Sequence, residues 1–345
     1  MKYFRILLIP FSGIHWLIIS FRHFLYDQKL LSTYKFNLPV IVLGNLETGG
    51  TGKTPFTMLI AKTLKEFHPA ILSRGYGRKS RGFHEVSESD HADFSGDEPT
   101  LMKIKLPETS VFVCENRPIG IRHILSKNPK TGAVILDDAF QHRKLQAGFS
   151  LLLFNYASFQ QPNFLLPAGN RRDVWSRRLK ADILIITKCP TDISNIEKEK
   201  LILRINSAKN QNVFFSSYAY SSLRSFNQQS TIKANELLDQ EIILVTGIAD
   251  ASPIRQHLYE NQLHPKHFQF ADHYRYTRDD IQKIHQNISP QKQTIIITTE
   301  KDFVKINPLL TESEKEIWYT LPVEIHLDHH EEFKKIMLDY VKSNS

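Results

Sequence analysis

One string, PVIVLGNLETGGTGKTPF from Pro39 to Phe56, constrains the fold more than any other part of the chain. Val40–Leu43 is a short β-branched apolar run bounded by Pro39 and Gly44, the pattern of a buried strand. It runs into a glycine-rich loop and then into Lys53, Thr54 and a helical stretch, Pro55–Glu66, with Pro55 at a tolerated first-turn position. Strand, glycine loop and helix in that order form the context of a phosphate cradle. Gly49, Gly50 and Gly52 let the backbone close around phosphate oxygens. The N–H groups from Thr48 through Thr51 to Thr54, with the helix N-terminus, favour an anion there. Lys53 would reach the β- and γ-phosphates, and the Thr54 hydroxyl would ligate Mg²⁺. The general motif has a glycine where this chain has Glu47.

Beyond the loop, β-branched runs alternate with helical stretches, which predicts a mostly parallel α/β sheet with helices on both faces. Expected strands are Val40–Leu43, Ala70–Leu72, Val111–Val113, Ala133–Leu136, Leu151–Phe154 and Ile183–Ile186; Pro118–Ser126 reads as a helix. From about Pro190 to Asp239 the pattern changes to polar and alternating segments, including VFFSSYAYSS. A second, smaller α/β unit follows, with strands near Ile242–Val245, Phe268–Phe270, Thr294–Ile297 and Glu324–Leu327, and an amphipathic helix after Glu331. The expected division is an N-terminal helix in 1–30, a phosphate-loop domain in 31–190, a junction in 191–239 and a C-terminal domain in 240–345.

Asp137 and Asp138 follow the run Ala133–Leu136. Carboxylates at the C-terminal end of a buried strand beside a phosphate loop are placed to hold Mg²⁺ or its waters. Capping of a following helix is the alternative use of such a pair. Three further segments exceed what nucleotide hydrolysis requires. LSRGYGR carries Arg74 and Arg78 on a glycine-loosened loop, GDEPT presents Asp97 and Glu98, and NRRDVWSRRLK holds Asn170, Arg171 and four further cations around Asp173. Loops at strand C-termini converge on one crevice in such sheets. Together they would supply a base, cations for an anionic acceptor and cations for transferring phosphoryl charge.

The run Ile6–Ile19, ILLIPFSGIHWLII, is apolar but interrupted by Pro10, Gly13 and His15. As a helix it would rise roughly 21 Å, short of the roughly 30 Å hydrocarbon core. Lys2, Arg5, Arg22 and His23 flank it, with Trp16, Phe21, Phe24 and Tyr26 as aromatics, which suits a helix lying in a lipid headgroup region. A secretory signal lacks its small-residue cleavage site here. Packing of the helix on its own domain is the alternative. The net charge of +8 favours anionic partners: nucleotide, nucleic acid or lipid. The two cysteines, Cys114 and Cys189, are too few for a disulfide framework and suit a reducing compartment.

The motifs also carry a family resemblance. GNLETGGTGKTP, LSRGYGR, GDEP, ENRPIG, LDDAFQHR, LPAGNRRD, TKCP, TGIAD, ADHY and TTEKD occur in order from about Pro39 to Lys305. In these strings the chain resembles the tetraacyldisaccharide 4′-kinase family, which phosphorylates the lipid A disaccharide precursor. The resemblance implies ATP and Mg²⁺, transfer to a sugar 4′-hydroxyl, and work at the cytoplasmic face of the bacterial inner membrane. It implies a lipid-linked disaccharide substrate and a membrane surface; no nucleic-acid partner is expected, and no obligatory protein partner is evident in the sequence. Asp97 matches the family's base and His273 its partner, while Arg117 would stabilise the transferring phosphoryl group. Asp138, Asp137 and Glu98 match the metal side. Asp173 stands where the family has a Glu in LRE, which implies a metal-side role for it with one methylene fewer; TGIAD stands for TGIANP, and ADH for PDH. The principal rival is a P-loop ATPase or GTPase switch or metallochaperone, which would hydrolyse nucleotide without an acceptor. A nucleic-acid-binding ATPase would need an RNA or DNA module, and none is evident.

Overall fold

The parallel arrangement of the strands follows from their composition: runs such as Val40–Leu43 and Ile183–Ile186 are apolar at every position, so both faces of their sheet must be covered. The computed structural model describes Arg5 and residues 7–160, 163–227 and 230–345; Lys2 and Ile6 of the expected N-terminal segment lie outside the described residues. In the larger sheet the strands are β1 (Val40–Asn45), β2 (Pro69–Ser73), β3 (His84–Glu85), β4 (Ser110–Val113), β5 (Ala133–Leu136), β6 (Phe149–Asn155), β7 (Ile183–Thr187) and β8 (Asn212–Tyr220). The smaller contains β9 (Leu223–Ser225), β10 (Thr231–Ile232), β11 (Glu241–Thr246), β12 (Lys266–Gln269), β13 (Thr294–Thr299) and β14 (Trp318–Leu321). A last strand, β15 (Val323–Leu327), returns to the larger sheet.

The larger sheet has the order β15-β8-β7-β6-β1-β5-β2-β4-β3 and the smaller β10-β9-β14-β13-β11-β12. From β8 to β4 every neighbouring pair is parallel, and antiparallel β15 and β3 close the two edges. β14-β13-β11-β12 are likewise parallel, with β9 and β10 antiparallel at one side.

Alternation along each strand feeds two cores. Val40 and Val42 face one side of β1, packing with Ile121 and Ile124 of a helix, while Ile41 and Leu43 face the other, with Phe56, Ile60 and Met102. The helices concerned are α1 (Ile9–Asp27), α2 (Lys53–Thr63), α3 (Asp97–Lys105) and α4 (Arg117–Lys127). On the smaller sheet α5 (Ser252–Glu260) covers one face and α6 (Arg278–His285) with α7 (Glu300–Ile306) the other. The final helix α8 (His330–Asn344) lays Phe333, Met337 and Val341 against the larger sheet.

Three elements differ from expectation. The strand expected near Glu324–Leu327 is β15, and it completes the larger sheet rather than the second unit, because β8 offers it a free edge from Ser216 to Tyr220. The alternating VFFSSYAYSS stretch is β8 itself, the last parallel strand of the larger sheet. β14, whose Trp318 is fully buried, was absent from the expected strands.

Among the described residues α1 begins at Ile9 and continues past the apolar run to Asp27. No helix among the described residues is long and apolar enough to cross a membrane. Its buried positions are Ser12, His23 and Tyr26, while Phe11, Ile14, Trp16, Leu17, Ile18, Phe21 and Phe24 are exposed. The polar edge does the docking: Ser12 Oγ donates to Leu165 O (2.8 Å), accepts from Ala168 N (3.1 Å), and His15 Nδ1 lies 3.0 Å from Leu166 O.

Candidate active site

The C-terminal ends of strands from both sheets open onto one cleft of about 860 Å³. Its floor is the phosphate loop. β1 ends at Asn45, whose amide donates to Thr51 Oγ1 (2.9 Å), and Thr187 Oγ1 at the end of β7 donates to Thr51 O (2.9 Å). These contacts hold the loop open. Gly52 sits at φ +82°, where a side chain would be strained, and an added Cβ would lie 2.9 Å from the Tyr218 hydroxyl. Thr48, Gly49, Gly50, Thr51, Gly52, Lys53 and Thr54 all line the cleft. Glu47 is buried, hydrogen-bonded by Asn163 (2.7 Å), and burial raises its pKa. It lines the cleft at the start of the loop.

Asp137 and Asp138 leave β5 beside the loop. Asp137 is fully buried and accepts from Thr57 Oγ1 (3.2 Å); burial, then the charges of Glu98 and Asp138, push its pKa up to about 7. Asp138 behaves oppositely: burial works against its charge, but Lys53 (3.7 Å) and Arg172 outweigh it and hold the carboxyl below its ordinary value. Arg172 reaches Asp138 Oδ2 at 3.2 Å and also binds Asp138 Oδ1 and Asn45 Oδ1. Arg117, buried at the start of α4, donates to Cys114 O (2.7 Å) and points its charge at the acidic pair. Arg74, Glu98 and His142 line the same cavity. Burial and the surrounding arginines push His142 down to about 4, so this imidazole stays neutral.

Asp97 and Glu98 open α3, where the helix dipole favours carboxylates; Glu98 lines the cleft, and Asp97 lies behind its wall on a neighbouring cavity that His273 also borders. Asp97 Oδ2 lies 2.9 Å from His273 Nδ1, a contact that crosses between the two sheets' loops. Burial opposes ionisation of Asp97, but the His273 hydrogen bond and the Lys301 charge keep its pKa below the usual value.

Four expected residues lie elsewhere. Asp173 is 2% exposed and accepts from His23 Nε2 of α1 (2.7 Å) and from its own neighbour Val174 N (2.8 Å), so it ties α1 down and does not reach the phosphate loop. Arg171 stacks its guanidinium over Trp175 (4.3 Å). Asn170 turns outward, receives Arg5 Nη1 (3.0 Å), and supports Thr48 through its carbonyl (2.8 Å). Arg78 folds back onto Gly82 O (2.6 Å) and Glu115 (2.6 Å). The residue brought into the cleft instead is Arg172. The segment runs extended, with Arg171 bridged to Glu47 and Leu165, so successive side chains alternate in direction. That alternation was the available signal: Arg171 and Asp173 share one side and Arg172 has the other. Lys188, Tyr218, Asp250 and Lys301 also line the cleft; the strings TKCP and TTEKD carry two of them, but no single residue of the four had been given a role.

Thr54, Asp137, Asp138 and Glu98 offer hard oxygen donors on one side of the phosphate loop. No group of three or more His, Cys, Asp or Glu side chains among the described residues could hold a metal unaided. This donor set nevertheless fits Mg²⁺, which at phosphate sites takes one or two carboxylates and completes its shell with water and phosphate oxygens.

The site can be compared with known proteins. The family model for tetraacyldisaccharide-1-P 4′-kinase matches residues 4–342. A tetraacyldisaccharide 4′-kinase of Bacteroides thetaiotaomicron is 38% identical, the match covering 98% of this chain and 93% of the relative. The corresponding protein of Flavobacterium johnsoniae is 36% identical over 100% and 99% of the two chains. Among solved structures, LpxK of Aquifex aeolicus, determined in complex with ATP, superposes with a TM-score of 0.78 at 32% identity, covering 98% of this chain and 99% of that one. Fold and sequence therefore agree over nearly the whole length, and the chain belongs to the tetraacyldisaccharide 4′-kinase family.

Proposed function

We infer that this protein is the ATP-dependent kinase that phosphorylates the 4′-hydroxyl of a tetraacyldisaccharide 1-phosphate in lipid A biosynthesis. The observation that carries the reading is that one cleft joins a phosphate loop to the His273 imidazole on its far wall, and that imidazole is paired at 2.9 Å with the buried Asp97 carboxylate behind it. A nucleotide switch needs the first and has no use for the second.

The residue roles follow from position. The amides from Thr48 to Thr54 and the Lys53 ammonium hold the ATP phosphates in line with the acceptor. Thr54, Asp138, Asp137 and Glu98 would hold Mg²⁺ directly or through water, and the ion supplies charge neutralisation on the phosphates. Asp97 takes the proton from the sugar hydroxyl as that oxygen bonds to the γ-phosphorus. The bond from phosphorus to the bridging oxygen breaks, and ADP leaves with the electron pair. Arg117 and Arg172 face the transferring group and stabilise its charge. Arg74 faces the acceptor side.

The reading extends to the setting. The apolar outer face of α1 rests in the headgroup region of the cytoplasmic face of the inner membrane, bringing the cleft to an acceptor whose acyl chains stay in the bilayer. The lobes built on the two sheets close about the two chain crossings near Ser221 and Pro322 and exclude water, which favours transfer over hydrolysis.

The test uses ATP labelled on the γ-phosphate, with and without tetraacyldisaccharide 1-phosphate in detergent micelles. Label enters the lipid, and Asp97→Ala lowers kcat by about 10²–10⁴-fold with little change in the KM for ATP. Acceptor-independent phosphate release without labelled lipid would establish a switch ATPase instead.

A further inference from the structure

Lys301 opens the first turn of α7, at the end of β13, and reaches across the cleft wall. Its ammonium lies 3.3 Å from Glu98 Oε1, 3.7 Å from Asp97 Oδ2, 3.6 Å from Asp272 Oδ1 and 3.2 Å from His273 Nε2. Burial works against this charge, but Glu98, Asp97 and Asp272 outweigh it, so the amine stays protonated.

The imidazole of His273 is thus held between two groups of opposite hydrogen-bonding character. On the Nδ1 side stands the Asp97 carboxylate, which when ionised can only accept. On the Nε2 side stands the Lys301 ammonium, which can only donate. Asp272 Oδ2, at 3.9 Å from Nε2, is beyond hydrogen-bond distance and offers no alternative acceptor. Tyr76 meets the ring by an aromatic contact at 5.0 Å, and Lys305 lines, with Asp97 and His273, the cavity next to the phosphate-loop cleft. Only one arrangement satisfies both contacts: a neutral ring with its proton on Nδ1, donated to Asp97, and a lone pair on Nε2, receiving Lys301.

We propose that Lys301 is a positioning residue for phosphoryl transfer, fixing His273 as a neutral Nδ1–H donor that orients the Asp97 carboxylate. This rests on Asp97 being the base, as proposed above. Two consequences separate it from a structural ion pair. His273 does not pass a proton onward, because the nitrogen through which a relay would leave is capped by a cation. The Asp97 hydrogen bond raises the pKa of His273, and burial and then the Lys301 charge oppose that rise. Without Lys301 the ring takes a second proton at higher pH and weakens Asp97 as an acceptor.

The experiment is nitrogen-15 NMR of the full chain labelled at histidine, with His273→Asn for assignment, alongside pH profiles of turnover. Wild-type protein at neutral pH shows the neutral Nδ1-protonated ring. Lys301→Met protonates Nε2 and moves the acidic limb of the kcat profile to higher pH. Its kcat falls roughly 10- to 100-fold, the scale for losing an orienting partner of a histidine, while the KM for MgATP and the Mg²⁺ dependence stay within about twofold, a difference under about 0.5 kcal/mol. Lys301→Arg, which can still donate to Nε2, restores the tautomer. A wild-type ring protonated on Nε2, or a Lys301→Met protein with an unchanged ring and a defect confined to Mg²⁺ dependence, overturns the proposal. The ring state is read without substrate, so it stands or falls separately from Asp97→Ala kinetics, which test the base itself.

Discussion

Two helices attached to the larger sheet, α1 and α8, use amphipathicity in opposite senses. α8 buries Phe333, Met337 and Val341 and leaves lysines such as Lys334 and Lys335 outside, the ordinary arrangement for a helix between a core and water. α1 buries Ser12, His23 and Tyr26 and leaves a row of large apolar side chains outside. The polar contacts of α1 are specific, with His23 on Asp173 and Arg143 on Asp27 (2.7 Å each). A helix attached by its polar edge has its apolar side free for another medium. The lesson is that the same rule, apolar against apolar, can be satisfied inside the protein or outside it, and burial shows which.

That contrast can be broken in three ways. The largest effect is expected at α8: Phe333→Ala, at a fully buried site packed edge-on against Phe214, should cost about 3–5 kcal/mol of unfolding free energy. A denaturant titration showing less than about 1 kcal/mol would mean that α8 is not part of the core. Next comes the polar anchor of α1. His23→Ala leaves the Asp173 carboxylate buried without its imidazole and should cost about 1–3 kcal/mol by the same titration. The smallest stability effect is expected on the outer face. Leu17→Glu and Phe21→Glu, at positions 59% and 63% exposed, should each change stability by no more than about 0.5 kcal/mol. Each should nevertheless reduce sedimentation with anionic vesicles by roughly tenfold or more, the equivalent of withdrawing one large side chain from lipid. Unchanged vesicle binding with lost stability would show that this face packs on protein.

Legibility of the sequence followed the range of the forces involved. β1, the phosphate loop and the start of α2 were readable because strand, glycines and helix are consecutive, and Ala133–Leu136 because its apolar run is bounded on both sides. β15 carries the right residues for a strand, but its partner β8 lies about a hundred residues earlier, so nothing local tells which sheet it joins. β14 is short and buried chiefly through Trp318, leaving little periodicity to detect. In the site, Asp97 and His273 were paired through the resemblance, since their separation in the chain hides any spacing signal. Arg171 was expected in the cleft from the cationic composition of its segment and Asp173 from the resemblance, yet the extended backbone turns them away and presents Arg172. Lys301 was the hardest to read: its surroundings come from α3, β13 and the loop after β12, and only the fold brings them together.

The return of the chain to the larger sheet has a consequence for how the molecule assembles. The chain leaves that sheet at Ser221 and comes back at Pro322, where Ser221 N donates to Pro322 O (3.3 Å), so the whole smaller sheet is nested between two neighbouring crossings. Emerging from a ribosome, β8 waits with one edge unpaired until everything from β9 to β14 has been made. The nested unit has its own core and only local business to complete. The larger sheet, though begun first, is closed last by β15 and α8, and its slow step is the search of the final segment for an edge synthesised long before.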